Sequence, residues 1–162
     1  FKYAINNAKL KFISQDICDE LKIKEKIDYV IHTGDITRAD TLDRFSRLNS
    51  KLIAVLGNND LEELGLREVS EIHDFILEIP PFVTDLGGEK IAIFHEPDGI
   101  NEFIKNNSSV NYVFHGHTHR YRNEKQKGVT IFNPGECAGM LKGKNAVGLI
   151  DLKELSIKRI FF

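Results

Sequence analysis

The sequence predicts a mixed α/β fold. Short apolar runs alternate with amphipathic segments along the chain, which is the pattern of strands and helices that pack against one another. The 162 residues are the size of one domain with a single substantial core. No linker, repeat or low-complexity stretch interrupts them, so we expect one domain over residues 1–162.

The first half of the chain predicts three strands, each followed by a helical segment. The strands are residues 9–14 (KLKFIS), 28–35 (DYVIHTGD) and 51–60 (KLIAVLGNND). The segments after them are an amphipathic helix over 15–27, a polar helix over 39–50 and a helical or irregular stretch up to His73.

The second half predicts strands that follow one another more closely. They are residues 89–96, 111–119, a hairpin between Tyr121 and Phe132, 145–152 and 156–162, with one helix near 98–107. The apolar end IKRIFF either closes a sheet or meets a partner, which leaves a homo-oligomer open.

Composition excludes several classes of function. A formal net charge of -2 and the lack of a long basic run give no electrostatic footprint for stable nucleic-acid or membrane binding. No apolar window approaches the roughly 20 residues that a membrane helix needs. Cys18 and Cys137 are too few and too far apart for a disulfide framework, which favours a reducing, cytoplasmic setting.

Polar side chains follow the apolar runs at four places, in the sequences HTGD, GNND, FHE and FHGHTH. In an open α/β sheet, the loops beyond the carboxyl ends of parallel strands converge on one crevice. A carboxylate, an amide and three imidazoles would then meet there, from Asp35, Asn58, His95, His117 and His119. Oxygen and imidazole donors without a thiolate suit manganese, iron, zinc, cobalt or nickel.

Most of these residues also have an ordinary structural interpretation. Gly-Asp at a strand end is typical of a turn, and so are Asn58, Asn59 and Asp60 after a glycine. His95 on its own would be explained as a buried histidine whose nitrogens are hydrogen-bonded.

The stretch HGHTH is harder to explain without a ligand. Alternation in an extended segment would send His115, His117 and His119 to the same side. Three imidazoles packed together need partners for their nitrogens, because burying them unpaired is costly. Metal ligation is therefore the favoured interpretation.

The ordered series GD, GNND, FHE, GHTH and NPGE resembles the calcineurin-like metallophosphoesterases, in particular their small single-domain prokaryotic phosphodiesterases. The resemblance extends roughly from Lys9 to Phe162. It implies a four-layer α-β-β-α sandwich, in which two mixed sheets are flanked by helices and a two-metal site lies at the strand ends. It also implies a hydrolase that cleaves phosphodiester bonds of a small molecule or nucleotide with a metal-activated water.

The resemblance implies roles for individual residues as well. Asp35 would bridge two divalent ions, and Asn58 would also orient a phosphate oxygen of the substrate. One metal site would be completed by Asn58, His95 and His117, and His119 would belong to the other. Manganese is the first expectation for both ions, with nickel, iron, cobalt or zinc as alternatives.

The first motif of the family is missing from its expected place. The family opens with a strand followed by Asp-x-His, whereas this chain passes from Ser14 directly to Gln15, and Asp16-Ile17-Cys18 is a poor substitute. Loops between a strand and a helix typically take about 2 to 6 residues. We hypothesise that, in the natural chain, a short loop carrying Asp-x-His lies between Ser14 and Gln15.

Other positions depart from the family more mildly. Asn59 stands where many members have a histidine that protonates the leaving group, which asparagine cannot do, so diesters with good leaving groups should suffer least. Asn59 remains a candidate for substrate binding, and Asp60 a candidate for holding the catalytic loop. Glu136 replaces a common serine and has an open role, and His115 matches no family ligand.

A binding module is the alternative to an enzyme. A eukaryotic retromer subunit resembles this fold with impaired ligands and works as a scaffold, so a missing first motif could mean the same here. A metal-stabilised domain without turnover is a third hypothesis. The intact Asn58, His95, His117 and His119 favour an enzyme.

Overall fold

The computed structural model describes residues 2–6, 27–48 and 50–162. The strands in this part of the chain are β1 Lys2–Asn6, β2 Tyr29–His32, β3 Lys51–Val55, β4 Ile76–Glu78, β5 Phe82–Leu86, β6 Glu89–Ile93, β7 Tyr112–Phe114, β8 Arg122–Gln126, β9 Val129–Asn133, β10 Ala146–Asp151 and β11 Ser156–Phe161. The helices are α1 Ala39–Asp43, which continues into a 3₁₀ turn over Arg44–Arg47, α2 Leu66–Ile72 and α3 Ile100–Asn106.

The strands form two mixed sheets, as predicted. The first has the order β11-β10-β1-β2-β3-β4, with β1 to β4 parallel and β10 antiparallel to both of its neighbours. The second has the order β5-β6-β7-β9-β8, with β6, β7 and β9 parallel and the two edge strands antiparallel. The parallel strands of each sheet therefore deliver their loops to one end.

Alternation along the central strands sends apolar side chains to both faces of each sheet. Ile31 and Ile53 of the first sheet pack with Phe114 and Phe132 of the second in one core cluster. The residues beside them in sequence, such as Leu52, pack on the opposite face in a second cluster.

Helices cover the outer faces of the two sheets. Leu42 of α1 and Leu66 of α2 join the second cluster. Ile100 and Ile104 of α3 pack on Val113 in a third cluster on the second sheet. This is the packing that the predicted sandwich of two sheets with flanking helices requires.

Several predicted elements need correction. The strand that lies beside β2 is β1, which the sequence analysis did not identify; the predicted strand over 9–14 and the helix over 15–27 fall outside the described residues, apart from Ile27. The predicted strands are also too long at their carboxyl ends, because Gly-Asp, Gly-Asn and Gly-His leave the extended conformation. The hairpin strand β5 was not predicted either.

Among the described residues, no helix has the length and apolar character to cross a bilayer.

Candidate metal centre

Four polar side chains meet where parallel strands of the two sheets end. Asp35 follows β2 and Asn58 follows β3 in the first sheet, while His95 follows β6 and His117 follows β7 in the second. Donor atoms of Asp35, His95 and His117 all lie within 4.8 Å of one another. These three residues could hold a metal ion, and together with Asn58 we call them the metal-binding cluster.

His95 is held in the tautomer that a metal ligand needs. Its Nδ1 lies 2.8 Å from the backbone carbonyl oxygen of Thr33. Because a carbonyl only accepts hydrogen bonds, Nδ1 carries the proton and Nε2 of the neutral ring presents a lone pair. Metal-ligating histidines typically donate the N–H of the ring nitrogen that does not bind the metal to a group such as a backbone carbonyl.

Two oxygen acceptors and a ring nitrogen of His117 lie close to Nε2 of His95. Nε2 lies 2.8 Å from Oδ1 of Asn58, 3.2 Å from Nδ1 of His117 and 3.6 Å from Oδ1 of Asp35. His117 Nδ1 is in turn 3.1 Å from the same Asn58 oxygen. Converging acceptors around buried side chains are unfavourable without a cation among them. One carboxylate, one amide oxygen and two imidazoles fit a divalent transition ion.

The loops reach this arrangement through unusual backbone geometry. Asp35 and His117 adopt positive φ angles of 60° and 62°, a conformation that non-glycine residues rarely adopt. Such residues persist where surrounding structure holds them, and they are enriched at active sites. Gly57 packs directly against Asp35, where a Cβ atom would overlap with the backbone nitrogen and Oδ1 of Asp35.

Asp60 joins the loops after β2 and β3. Its carboxylate is almost fully buried, with 2% exposed, and accepts one hydrogen bond on each oxygen. The donors are the backbone N–H groups of Thr37 and Gly57, each at 2.7 Å. The Asn59 backbone N–H adds a third link between these loops by donating to Asp35 Oδ1 at 3.0 Å.

His119 lies outside the converging set in the described part of the chain. Its Nδ1 is 3.0 Å from Oε2 of Glu136, a buried carboxylate. The other oxygen of Glu136 accepts the backbone N–H of Met140 at 2.9 Å. The structure thus gives Glu136 a partner that sequence reasoning had left open.

The extended conformation that the alternation of His115, His117 and His119 requires is absent, so the premise of that prediction is wrong. Strand β7 ends at Phe114, and positive φ angles at His117 and His119 turn the chain away from extended geometry. His115 is buried, with its Nδ1 3.1 Å from the carbonyl oxygen of Gly116. Burial lowers the pKa of His115 from 6.5 to about 4.

His32 is a second buried histidine near the cluster. Its Nδ1 accepts the Gly34 backbone N–H at 3.2 Å, its ring meets Phe45 edge to face, and its Nε2 has no hydrogen-bond partner among the described residues. Burial lowers the pKa of His32 from 6.5 to about 4, although Asp60 and Asp35 act in the opposite direction. A neutral His32 therefore packs beneath the turn that leads to Asp35.

Comparison with known proteins shows the family of the chain. Residues 13–155 match the profile of the calcineurin-like phosphoesterase superfamily domain. The chain belongs to this superfamily.

Two relatives in Methanocaldococcus jannaschii are similar to the chain. The phosphodiesterase MJ0936 is 31% identical over 139 residues, which are 84% of this chain and 83% of that protein. The probable metallophosphoesterase MJ0623 is 29% identical over 110 residues, which are 67% of this chain and 53% of that protein.

Solved structures have the same fold. An archaeal phosphodiesterase superposes with a TM-score of 0.83 at 26% identity, covering 100% of both chains. Vps29 from Entamoeba histolytica, in a complex with zinc, superposes with a TM-score of 0.68 at 16% identity, covering 100% of this chain and 98% of that one.

Strand β1 ends at the same edge of the first sheet as β2. Strand β1 runs parallel to β2, with Asn6 level with His32. The chain therefore leaves β1 at the same end of the sheet as Asp35. Residues 7–10 read NAKL and supply neither a carboxylate nor an imidazole.

The hypothesis of a missing loop concerns the chain between β1 and β2. Strand β1 lies beside β2, and the predicted strand over residues 9–14 lies outside the described residues. Ser14 and Gln15 lie outside the described residues, so a loop between them stays a prediction. Sequence reasoning also had no means of finding the Thr33 carbonyl, because a backbone ligand partner leaves no side-chain signal.

Proposed function

We propose that the protein is a metal-dependent phosphodiesterase acting on a small-molecule or nucleotide diester. The observation that carries the proposal is the convergence of the metal-binding cluster around the lone pair of His95, whose tautomer Thr33 fixes. Similarity to a phosphodiesterase at 31% identity supports the diester class.

The residues around the cluster have separable tasks. A divalent ion held there would lower the pKa of a water molecule and offset charge on the phosphoryl group. Asp35, His95 and His117 would hold the ion, and Asn58 would contact both the ion and a phosphate oxygen. The exposed amide of Asn59 can bind an ester oxygen but cannot protonate a leaving group. We therefore expect diesters with good leaving groups to be preferred.

We further propose that two ions bind with unequal affinity, manganese being the first expectation. The first ion has the metal-binding cluster. For the second, the described residues offer Asp35, His119 and the neighbouring Glu136, which is a sparser set. A metal titration followed by calorimetry should show a tight step and a weaker one, while a single step would reduce the centre to one ion.

A catalytically impaired binding module is the second candidate. The observation that favours it is the sequence before β2, which contains no histidine and so lacks the Asp-x-His of the superfamily's first motif. Such a module would keep its fold and bind metal without turning over a diester.

Hydrolysis of bis(p-nitrophenyl) phosphate by Mn²⁺-loaded protein separates the two candidates. Turnover should vanish in EDTA and return with Mn²⁺ while circular dichroism stays unchanged. Asp35→Asn should lower kcat/KM by at least about 100-fold, because mutating even a hydrogen-bond partner of a metal ligand typically lowers metal affinity or activity by roughly 10- to 100-fold. Asp85→Asn, which changes an exposed carboxylate on β5, is the control and should match the wild type.

The opposite result has a definite meaning. Metal binding at the cluster, with an intact fold and no turnover of any diester tested, would refute the enzyme and support the binding module. Turnover that survives Asp35→Asn would show that hydrolysis does not use the cluster.

A further inference from the structure

A pocket of about 330 Å³ adjoins the metal-binding cluster. Its volume lies at the lower end of the range for small-molecule sites, about 300–1,000 Å³. The loops after β3, β4 and β6 line it, with the residues Leu56, Gly57, Asn58, Leu61, Ile79, Pro80, Pro81, Phe94, His95, Glu96 and Asp98. Because Asn58 and His95 belong to both the cluster and the pocket, a group bound at the cluster reaches this cavity directly.

The pocket has a polar end and an apolar wall. Asn58 and His95 form the polar end, while the wall includes Leu61, Ile79 and Phe94. Leu61 is 71% exposed and Ile79 is 65% exposed, although each is large and apolar. Covering such surface with an apolar group would be favourable, at roughly 25 cal/mol per Å² removed from water.

Charge limits what the wall can accept. Among the described residues that line the cavity, Glu96 and Asp98 are the only charged ones, both are exposed, and none is a lysine or an arginine. A second phosphate or another carboxylate entering here would meet like charge without a basic partner. The occupant should therefore carry no negative charge of its own beyond the phosphoryl group at the cluster.

We propose that this pocket binds one organic substituent of the phosphoester, an uncharged apolar or aromatic group, while the phosphoryl group lies at Asn58 and His95. The inference rests on the proposed function for the place of the phosphoryl group. It adds a substrate class: diesters with at least one uncharged ring or apolar chain next to the phosphate, in preference to substrates with further phosphates.

Binding of two phosphonates tests the pocket without turnover. Calorimetry on the Mn²⁺-loaded protein compares phenylphosphonate with methylphosphonate, which share the anionic group and differ in the organic one. We expect phenylphosphonate to bind roughly tenfold more tightly, since a few carbons in an apolar pocket are worth that much or more.

Two exposed side chains allow a matched comparison. Leu61→Ala and Ile79→Ala should each reduce the preference for the phenyl compound by roughly threefold or more, without affecting methylphosphonate. Leu64→Ala is the control, because Leu64 is 89% exposed a few residues from Leu61 and does not line the pocket. All three side chains are solvent-exposed, so the variants should fold as the wild type does.

The outcomes separate this inference from the proposed function. The proposed role of the pocket would be overturned if the protein bound both phosphonates equally or bound neither. It would also be overturned if Leu64→Ala lost as much of the preference for the phenyl compound as Leu61→Ala. If diesters are hydrolysed in that case, the proposed function stands without it. A phenyl preference that depends on Leu61 and Ile79 supports the pocket even where no diester is turned over.

Discussion

Gly57→Ala tests how closely the metal-binding cluster is packed. A Cβ atom at this position would overlap with the backbone nitrogen and Oδ1 of Asp35 and would lie 2.8 Å from Cε1 of His95. Carbon atoms approach comfortably to about 3.5 Å, so the His95 ring would have to retreat by roughly 0.7 Å. Metal ligands tolerate about 0.2 Å. Two ligands are thus displaced by one methyl group.

The expected loss is in metal affinity as well as in stability. Overpacking typically costs about 1–3 kcal/mol of folding free energy. Cε1 lies between the two ring nitrogens of His95, so its displacement disturbs both the hydrogen bond to Thr33 and the donor atom Nε2. We expect Mn²⁺ affinity to fall by roughly 10- to 100-fold, the range seen when partners of ligands are lost.

Gly148→Ala is the matched control. A Cβ atom at Gly148 would overlap with the ring of Phe132 in the core between the sheets. It therefore overpacks the core and not the metal-binding cluster. Chemical denaturation should show both variants destabilised, while calorimetry with Mn²⁺ should show weaker binding in Gly57→Ala alone. Wild-type Mn²⁺ affinity in folded Gly57→Ala would refute the reasoning that this packing sets the ligand positions.

Two further predictions concern the buried groups around the cluster. Asp60→Asn replaces one acceptor oxygen with an N–H₂ group that faces a backbone N–H of Thr37 or Gly57. Urea titration should therefore show that the free energy of unfolding falls by about 2–3 kcal/mol. An unchanged midpoint would contradict this prediction. Burial holds the pKa of His32 at about 4 instead of 6.5, so between these values the unfolded chain binds a proton that the folded protein does not. Stability is therefore full above about pH 6.5 and falls on acidification. Between pH 7 and pH 5, wild type should lose about 2 kcal/mol more than His32→Asn, and parallel pH curves would refute this.

The fold and most of the cluster could be predicted because their signals are local. Apolar runs such as those around Ile31 and Ile53 have the length of buried strands, and a polar residue after a glycine marks where each strand ends. The parallel-strand rule then places Asp35 and Asn58 together without any knowledge of distances, because they follow neighbouring strands of one sheet.

Other features could not be predicted, because distant parts of the chain decide them. Lys2–Asn6 was not predicted as a strand, and pairing with both β2 and β10 selects it. His115 looked equivalent to its two neighbours until the positive φ of His117 turned the chain. Pairing partners and left-handed turns are set by tertiary contacts, which override local alternation.

The sequence by itself determined which donor atoms this protein can bring to its strand ends, since the residue types and the strands that carry them are written in the chain. The tertiary structure alone decided which donors converge: the carbonyl of Thr33 fixes the tautomer of His95, and Glu136 takes His119 as its partner. Only the folded chain also shapes the pocket beside the cluster, because its walls come from loops of both sheets. Ligand convergence depends on distances between residues far apart in sequence, and those distances exist only once the two sheets have packed.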